Sequence, residues 1–181
     1  MTKNVFTFHP AYTYYTLSQA SKVYVTDFNS TTLDNLRYNT ILNHLCTSVH
    51  NEKDNKLIVQ SIDWSDESTW PQEDAIDVIL GSDLIYDKTA IHHLKHVVLG
   101  LLQKRGGTFY YICKSTERDG MAEFVADILQ NGMILVHQEE ISTPHPFTLN
   151  PLHDEDDEAC FLHFHELTTS SYMLYEFSYN V

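Results

Sequence analysis

Short apolar runs rich in β-branched and aromatic residues alternate with longer segments of helical periodicity from residue 22 to the end of the chain. The runs predict strands, bounded by residues 22–26, 56–62, 76–81, 108–114, 134–141 and 172–179. The longer segments predict helices over 30–45, 88–105 and 119–130, with Ser30 as the first cap and with Ile41 and Leu129 facing the core. Strands that alternate with helix-length segments form right-handed β-α-β units, so the predicted fold class is α/β with a largely parallel sheet.

The length of the chain bounds its organisation. A chain of 181 residues is long enough for one substantial core and too short for two ordinary domains. We therefore predict a single domain over 1–181.

The compartment follows from what the sequence does not contain. No apolar run approaches the ~20 residues that span a bilayer, and the N-terminus has no apolar core of the secretory kind. The three cysteines are widely spaced and form no CxxC pair, which is typical of reduced thiols. We expect a cytoplasmic protein with no membrane partner.

The charge balance is strongly acidic. Eleven Lys and Arg stand against 25 Asp and Glu, which gives a formal net charge of −14. Affinity for nucleic acids comes largely from cations that neutralise phosphates, so a nucleic-acid partner is disfavoured. A basic protein partner fits this charge better, although solubility alone also explains it.

Polar residues follow three of the predicted strands, where open α/β sheets bind their ligands. Asp27 ends the first strand, where a carboxylate accepts both hydroxyls of a ribose or simply begins a helix. Asp63-Trp64 offers an aromatic face and an acceptor for an adenine, although a core tryptophan under the loop is the favoured reading. Asp83 and Tyr86 stand three residues apart and can orient an attacking amine. The alternative interpretation of Asp83, as a cap of the following helix, is equally favoured.

Taken together, these strand ends resemble the family-16 seven-β-strand protein-lysine methyltransferases over roughly residues 14 to 141. The residues that carry the resemblance are Val25-Thr26-Asp27, Asn35-Leu36-Arg37-Tyr38-Asn39, Ile62-Asp63-Trp64 and Ser82-Asp83-Leu84-Ile85-Tyr86. The resemblance implies a Rossmann-like seven-strand sheet, the cofactor S-adenosyl-L-methionine and methylation of a lysine in a protein. Within the family the chain looks most like the elongation factor 2 and chaperone lysine methyltransferases, which implies a substrate of that kind.

The resemblance also implies roles for individual residues. Asp27 would hold the ribose of the cofactor, Trp64 would pack by the adenine, and Ser82 would touch the cofactor. Asp83 and Tyr86 would be the pair that lines the lysine site.

The chain departs from the family at its N-terminus. The family has a glycine-rich loop about 20 residues before the position of Asp27, yet the first of the six glycines here is Gly81. We therefore expect the first strand of the sheet to be missing or degenerate, and residues 1–21 to be a degenerate or truncated N-terminal part of the domain. The alternative function is a catalytically inactive methyltransferase-like module that binds a protein, and methylation of a small molecule is a third, weaker reading.

The histidines suggest a metal site only weakly. His163 and His165 fall on one face of a strand-like stretch, with His145, His153 and the acidic run at 154–158 nearby. They complete no recognised ligand pattern, so we predict surface histidines and no metal. His92, His93 and His96 are assigned to the solvent side of the helix over 88–105.

Overall fold

A computed structural model of the chain describes residues 3–7, 20–42, 57–72, 75–85, 88–102, 106–115, 120–142 and 171–179. Its strands are β1 (Lys3–Thr7), β2 (Ala20–Asp27), β3 (Leu57–Ser61), β4 (Val78–Ser82), β5 (Thr108–Lys114), β6 (Met133–Ser142) and β7 (Ser171–Tyr179). Its helices are α1 (Ser30–Leu42), α2 (Lys88–Leu102) and α3 (Met121–Gln130), with a short 3₁₀ helix at Glu67–Thr69.

The seven strands form one sheet in the order β3-β2-β1-β4-β5-β7-β6. The first five strands in this order pair in parallel, whereas β7 runs antiparallel to both β5 and β6. Parallel pairing brings the carboxyl ends of β1 to β5 to one edge, which is where such sheets bind ligands. The predicted α/β class and Rossmann-like seven-strand sheet are confirmed.

Strand β1 lies inside the sheet, between β2 and β4. Val5 pairs with Val23 of β2 on one side and with Val78 of β4 on the other. The Asn4 backbone N–H donates to Asp77 Oδ2 at 2.8 Å, and Asp77 N–H donates back to the Asn4 carbonyl at 3.0 Å. Of the two alternatives predicted for the first strand, missing or degenerate, the first was therefore wrong: the strand is present, but its five residues are too few for periodicity to identify it.

Hydrophobic side chains pack on both faces of the sheet. One cluster contains Phe6 and Ile79 with the inner sides of α2 and α3, and the other contains Val5 and Val78 with Leu33 and Leu36 of α1. Consecutive residues of a strand point to opposite faces, so Val5 and Phe6 contribute to different clusters. The helices thus cover the sheet on both sides, as its apolar strands require.

Details of the helices differ from the predictions. Helix α1 is capped by Asn29, not Ser30: Asn29 Oδ1 accepts from the N–H groups of Thr31 (2.9 Å) and Thr32 (3.3 Å). Ile41 and Leu129 were predicted to face the core, yet their exposed fractions are 54% and 39%. Residues 43–45 and 103–105, where two predicted helices end, lie outside the described residues.

No helix of the described ranges is long and apolar enough to cross a membrane.

Candidate functional site

A cavity of about 420 Å³ opens beyond the carboxyl ends of β2 and β3. Its lining includes Asp27 and Phe28 from the end of β2, Asp63 and Trp64 from the turn after β3, and His93 from α2. Ligand pockets of proteins enclose about 300–1,000 Å³ and combine apolar walls with a few polar groups. The cavity therefore has the size and composition of a small-molecule site.

Asp27 joins the ends of the two strands. Its Oδ1 accepts from the Asn29 N–H at 2.7 Å, and its backbone carbonyl accepts from the Ile62 N–H at 3.1 Å. The bond to Asn29 uses one carboxylate oxygen, so the second can accept from a ligand hydroxyl. Phe28 follows with an exposed fraction of 73%, which puts an aromatic ring at the mouth of the cavity.

Asp63 is held as an anion by its own turn. Its Oδ1 accepts from the Ser65 hydroxyl at 2.6 Å and from the Ser65 N–H at 2.8 Å. These bonds, with a smaller contribution from the charge of His93, hold the pKa of the Asp63 carboxyl below its usual value. An acceptor of full negative charge thus stands beside Trp64.

The two tryptophans of the chain occupy different environments. Trp64 is half-buried, lines the cavity and packs by part of its ring against the core. Trp70, six residues later, is the buried one, with an exposed fraction of 6%. The two alternatives weighed for Trp64, an adenine contact and a core residue, are therefore compatible.

Beyond β4, Leu84 lines this cavity. Ser82 and Asp83 are half-buried, and neither is among the described residues that line it. Asp83 has a φ of 53°, its N–H donates to the Ile112 carbonyl at 2.9 Å, and its Oδ1 accepts from the Lys114 N–H at 3.4 Å. A left-handed backbone outside glycine is sparsely populated and is found preferentially at functional sites. Tyr86 lies outside the described residues.

A buried phenol supports the segment that follows Asp83. The Ile85 N–H donates to the Tyr111 hydroxyl oxygen at 3.1 Å, and both side chains are fully buried. Burial raises the pKa of the Tyr111 phenol well above its ordinary value. Residues 83–85 are thus fixed to β5 by side-chain as well as backbone bonds.

Sequence reasoning missed Phe28 and His93 as cavity residues. His93 was assigned to the solvent side of its helix, and it is exposed, but that side borders the cavity. Phe28 directly follows Asp27, and this position could have predicted that its ring lies at the cavity. His145, His153, His163 and His165 lie outside the described residues, and the described part of the chain holds no group of three or more potential metal ligands.

The family of the chain is settled by a sequence match. Residues 12–131, roughly two thirds of the chain, match the lysine methyltransferase family. The chain belongs to this family. No curated protein matches it significantly in sequence.

Solved structures with the same fold are numerous and distant in sequence. N-methyltransferase NodS from Bradyrhizobium japonicum, solved with S-adenosylhomocysteine, is 11% identical with a TM-score of 0.62, covering 99% of this chain and 79% of NodS. An S-adenosylmethionine-dependent methyltransferase from Mesorhizobium loti is 13% identical with a TM-score of 0.59, covering 97% and 90%. An rRNA methylase from Streptococcus thermophilus is 11% identical with a TM-score of 0.59, covering 99% and 88%. The chain therefore has the methyltransferase fold, and family and fold together indicate S-adenosyl-L-methionine as the cofactor.

The described residues fit the nucleoside half of that cofactor. The Asp27 carboxylate can accept from ribose hydroxyls, the anionic Asp63 from an exocyclic amine, and Trp64 offers a flat ring. Residues 8–19, between β1 and β2, lie outside the described residues, so the fit concerns this half alone.

Proposed function

We propose that the chain is an S-adenosylmethionine-dependent protein-lysine N-methyltransferase. The observation that carries the proposal is the cavity at the strand ends, lined by Asp27, Asp63 and Trp64, in a member of the lysine methyltransferase family. In this proposal Asp27 binds the ribose, and Asp63 and Trp64 bind the adenine. The bound cofactor supplies an electrophilic methyl group on a sulfonium.

The residues of the chain have to align a lysine amine and keep it neutral. A protonated amine has no lone pair, so the proton must leave before the nitrogen–carbon bond forms and the carbon–sulfur bond breaks. Asp83 and Tyr86 are the polar residues proposed to orient that amine. The Asp83 N–H donates to the Ile112 carbonyl, which fixes the backbone, and Asp83 Oδ1 accepts from the Lys114 N–H, which fixes the carboxylate. Both bonds lower the entropic cost of alignment.

The proposed substrate is a protein in the cytoplasm. A net charge of −14 favours the approach of a basic surface, such as one that surrounds a target lysine. A translation elongation factor or a chaperone is the first candidate, on the family resemblance of the strand-end motifs. The rRNA methylase with the same fold acts on a different class of substrate, and the acidic charge of this chain argues against RNA.

Calorimetric titration with S-adenosylhomocysteine tests the cofactor site. We expect Asp27→Ala to weaken binding roughly tenfold to a hundredfold, because a hydrogen bond to a charged group contributes about 1.5–3 kcal/mol. Asp34→Ala is the matched control, since Asp34 is an exposed aspartate on α1 that pairs with Arg37 at 3.1 Å. A folded wild-type chain without measurable binding would contradict the proposal.

Transfer of a radiolabelled methyl group to proteins of a cell extract tests the substrate class. We expect labelled protein bands with the wild type and none with Asp83→Ala. Labelled small molecules or RNA in their place would refute the protein-lysine assignment while leaving the methyltransferase fold and family intact.

The second candidate is a catalytically inactive methyltransferase-like module that binds a protein partner. It is favoured by the absence of any glycine before Gly81, because close approach of a backbone to the cofactor usually needs glycine. Lack of cofactor binding together with capture of a defined partner distinguishes this candidate from the enzyme.

A further inference from the structure

The turn that carries Asp63 and Trp64 is held by the loop that follows it. The Asp63 N–H donates to Thr69 Oγ1 at 3.0 Å, and the Thr69 hydroxyl lies 2.7 Å from the Asp66 carbonyl, to which it donates. The Trp70 indole N–H donates to the Asp63 carbonyl at 2.9 Å. Both backbone groups of Asp63 are therefore fixed by side chains six and seven residues later.

The Trp70 ring is in turn fixed against α2. A Cβ built on Gly100 would lie 2.4 Å from Cζ3 of the indole, so the ring packs directly on the helix backbone. The ring of His96, one turn earlier, lies 5.1 Å away, and His96 Nε2 lies 3.2 Å from a carboxylate oxygen of Glu67 in the 3₁₀ helix. The indole thus joins a core helix to the turn at the cavity.

The orientation of a side chain follows from its backbone. With both N–H and carbonyl fixed, the Asp63 Cα–Cβ bond has one direction, and the Ser65 bonds then fix the carboxylate. Trp64 is the next residue of the same turn. A site prepared in this way loses less entropy on binding than a mobile turn would.

We propose that Trp70, backed by Gly100, is a positioning residue for the nucleoside side of the cavity and acts through Asp63. The inference rests on the proposed function, because it takes the ligand to be S-adenosylmethionine or its product. Trp70 is not among the described residues that line the cavity, so its effect on affinity would be indirect.

Trp70→Phe removes the indole donor and keeps an aromatic ring against Gly100. We expect affinity for S-adenosylhomocysteine to fall about fivefold to tenfold, in line with the loss of one hydrogen bond. The chain has two tryptophans, so this variant leaves Trp64 as its only one. The emission of Trp64 in the wild type is obtained by subtracting the spectrum of Trp64→Phe from the wild-type spectrum. Compared with that emission, the fluorescence of Trp70→Phe should shift to the red and be quenched more readily by acrylamide.

Gly100→Ala tests the same contact from the helix. The unfolding temperature should rise if only helix propensity matters and fall if the contact with the indole matters. Alanine in place of a helical glycine ordinarily stabilises a helix by about 1 kcal/mol. Here the added methyl group must displace the indole, so we expect a lower unfolding temperature and weaker binding of S-adenosylhomocysteine. This variant decides the question if Trp70→Phe does not fold.

Ile128→Val is the matched control, since Ile128 is fully buried in α3 and is not among the described residues that line the cavity or bond to Asp63. It should lower the unfolding temperature and leave the affinity within about twofold, because it loses core packing and none of the bonds that hold Asp63. Unchanged affinity in Trp70→Phe, or a stabilised Gly100→Ala with unchanged affinity, overturns the positioning role of Trp70 and leaves the proposed function intact. A folded wild type that does not bind S-adenosylhomocysteine overturns the proposed function, and this inference falls with it.

Discussion

The bond between Tyr111 and the Ile85 N–H allows a sharp prediction about stability. In Tyr111→Phe the phenol oxygen is lost while the ring remains, so a fully buried N–H loses its acceptor at 3.1 Å. An unsatisfied buried donor costs about 1–3 kcal/mol, and we expect the free energy of unfolding to fall by about 2 kcal/mol. That change corresponds to about a thirtyfold shift in the folding equilibrium and to an unfolding temperature about 4–8 °C lower for a chain of this length.

Urea denaturation of Tyr111→Phe and of its neighbour Tyr110→Phe measures the effect with a matched control. Tyr110 points to the other face of the sheet, where its hydroxyl donates to Glu176 Oε1 at 3.2 Å between half-buried groups. Water can replace that partner, so Tyr110→Phe should cost about 1 kcal/mol or less. Amide hydrogen exchange adds a local readout, because Ile85 should exchange faster in Tyr111→Phe. Equal stability of the wild type and Tyr111→Phe would refute the reasoning.

Three further predictions concern single positions. Ser65→Ala removes the hydroxyl that contributes most to the lowered pKa of Asp63, so a carboxyl NMR titration should find that pKa closer to its usual value; no upward shift would contradict this. Gly107→Ala would place a Cβ 2.7 Å from the Asp77 carbonyl oxygen and should cost about 1–3 kcal/mol in urea denaturation, and a neutral result would show that the backbone yields. Burial raises the pKa of Tyr111, so the folded state keeps a proton that the unfolded state loses, and stability should fall as pH rises above about 10; absorbance at the phenolate band should show this phenol ionising only on unfolding.

The elements with strong local patterns were predictable from the sequence. Strand β5 has the predicted bounds, because its residues alternate between a buried and a half-buried face and are bounded by Gly106-Gly107 and a polar segment. Helix α2 begins at the predicted Lys88 and buries the predicted apolar side. Asp27, Asp63 and Trp64 were predicted as ligand-binding residues because parallel strands place their carboxyl ends together, and all three line one cavity.

Features that depend on tertiary contacts were not predictable. Lys3–Thr7 has no long periodic pattern, and only its two neighbours in the sheet make it a strand. The sequence could not distinguish which of Trp64 and Trp70 is buried, because the difference is a contact with Gly100 thirty residues further along. Ser82 has the sequence context of a cofactor residue, yet it is not among the described residues that line the cavity, whereas Leu84 two residues later is.

The place of β1 between β2 and β4 has a consequence for the order of folding. Strands β2 and β4 are not neighbours, so the pair β2–β3 and the group β4-β5-β7-β6 are connected in the sheet only through five residues. The contact of Asn4 with Asp77 closes a loop of 73 residues, whose entropic cost must be met before the pairing contributes stability. Until β1 is inserted, the apolar edges of β2 and β4 remain open to other chains. Substitutions in Lys3–Thr7 should therefore lower the yield of soluble protein during synthesis more than the stability of the finished fold would suggest.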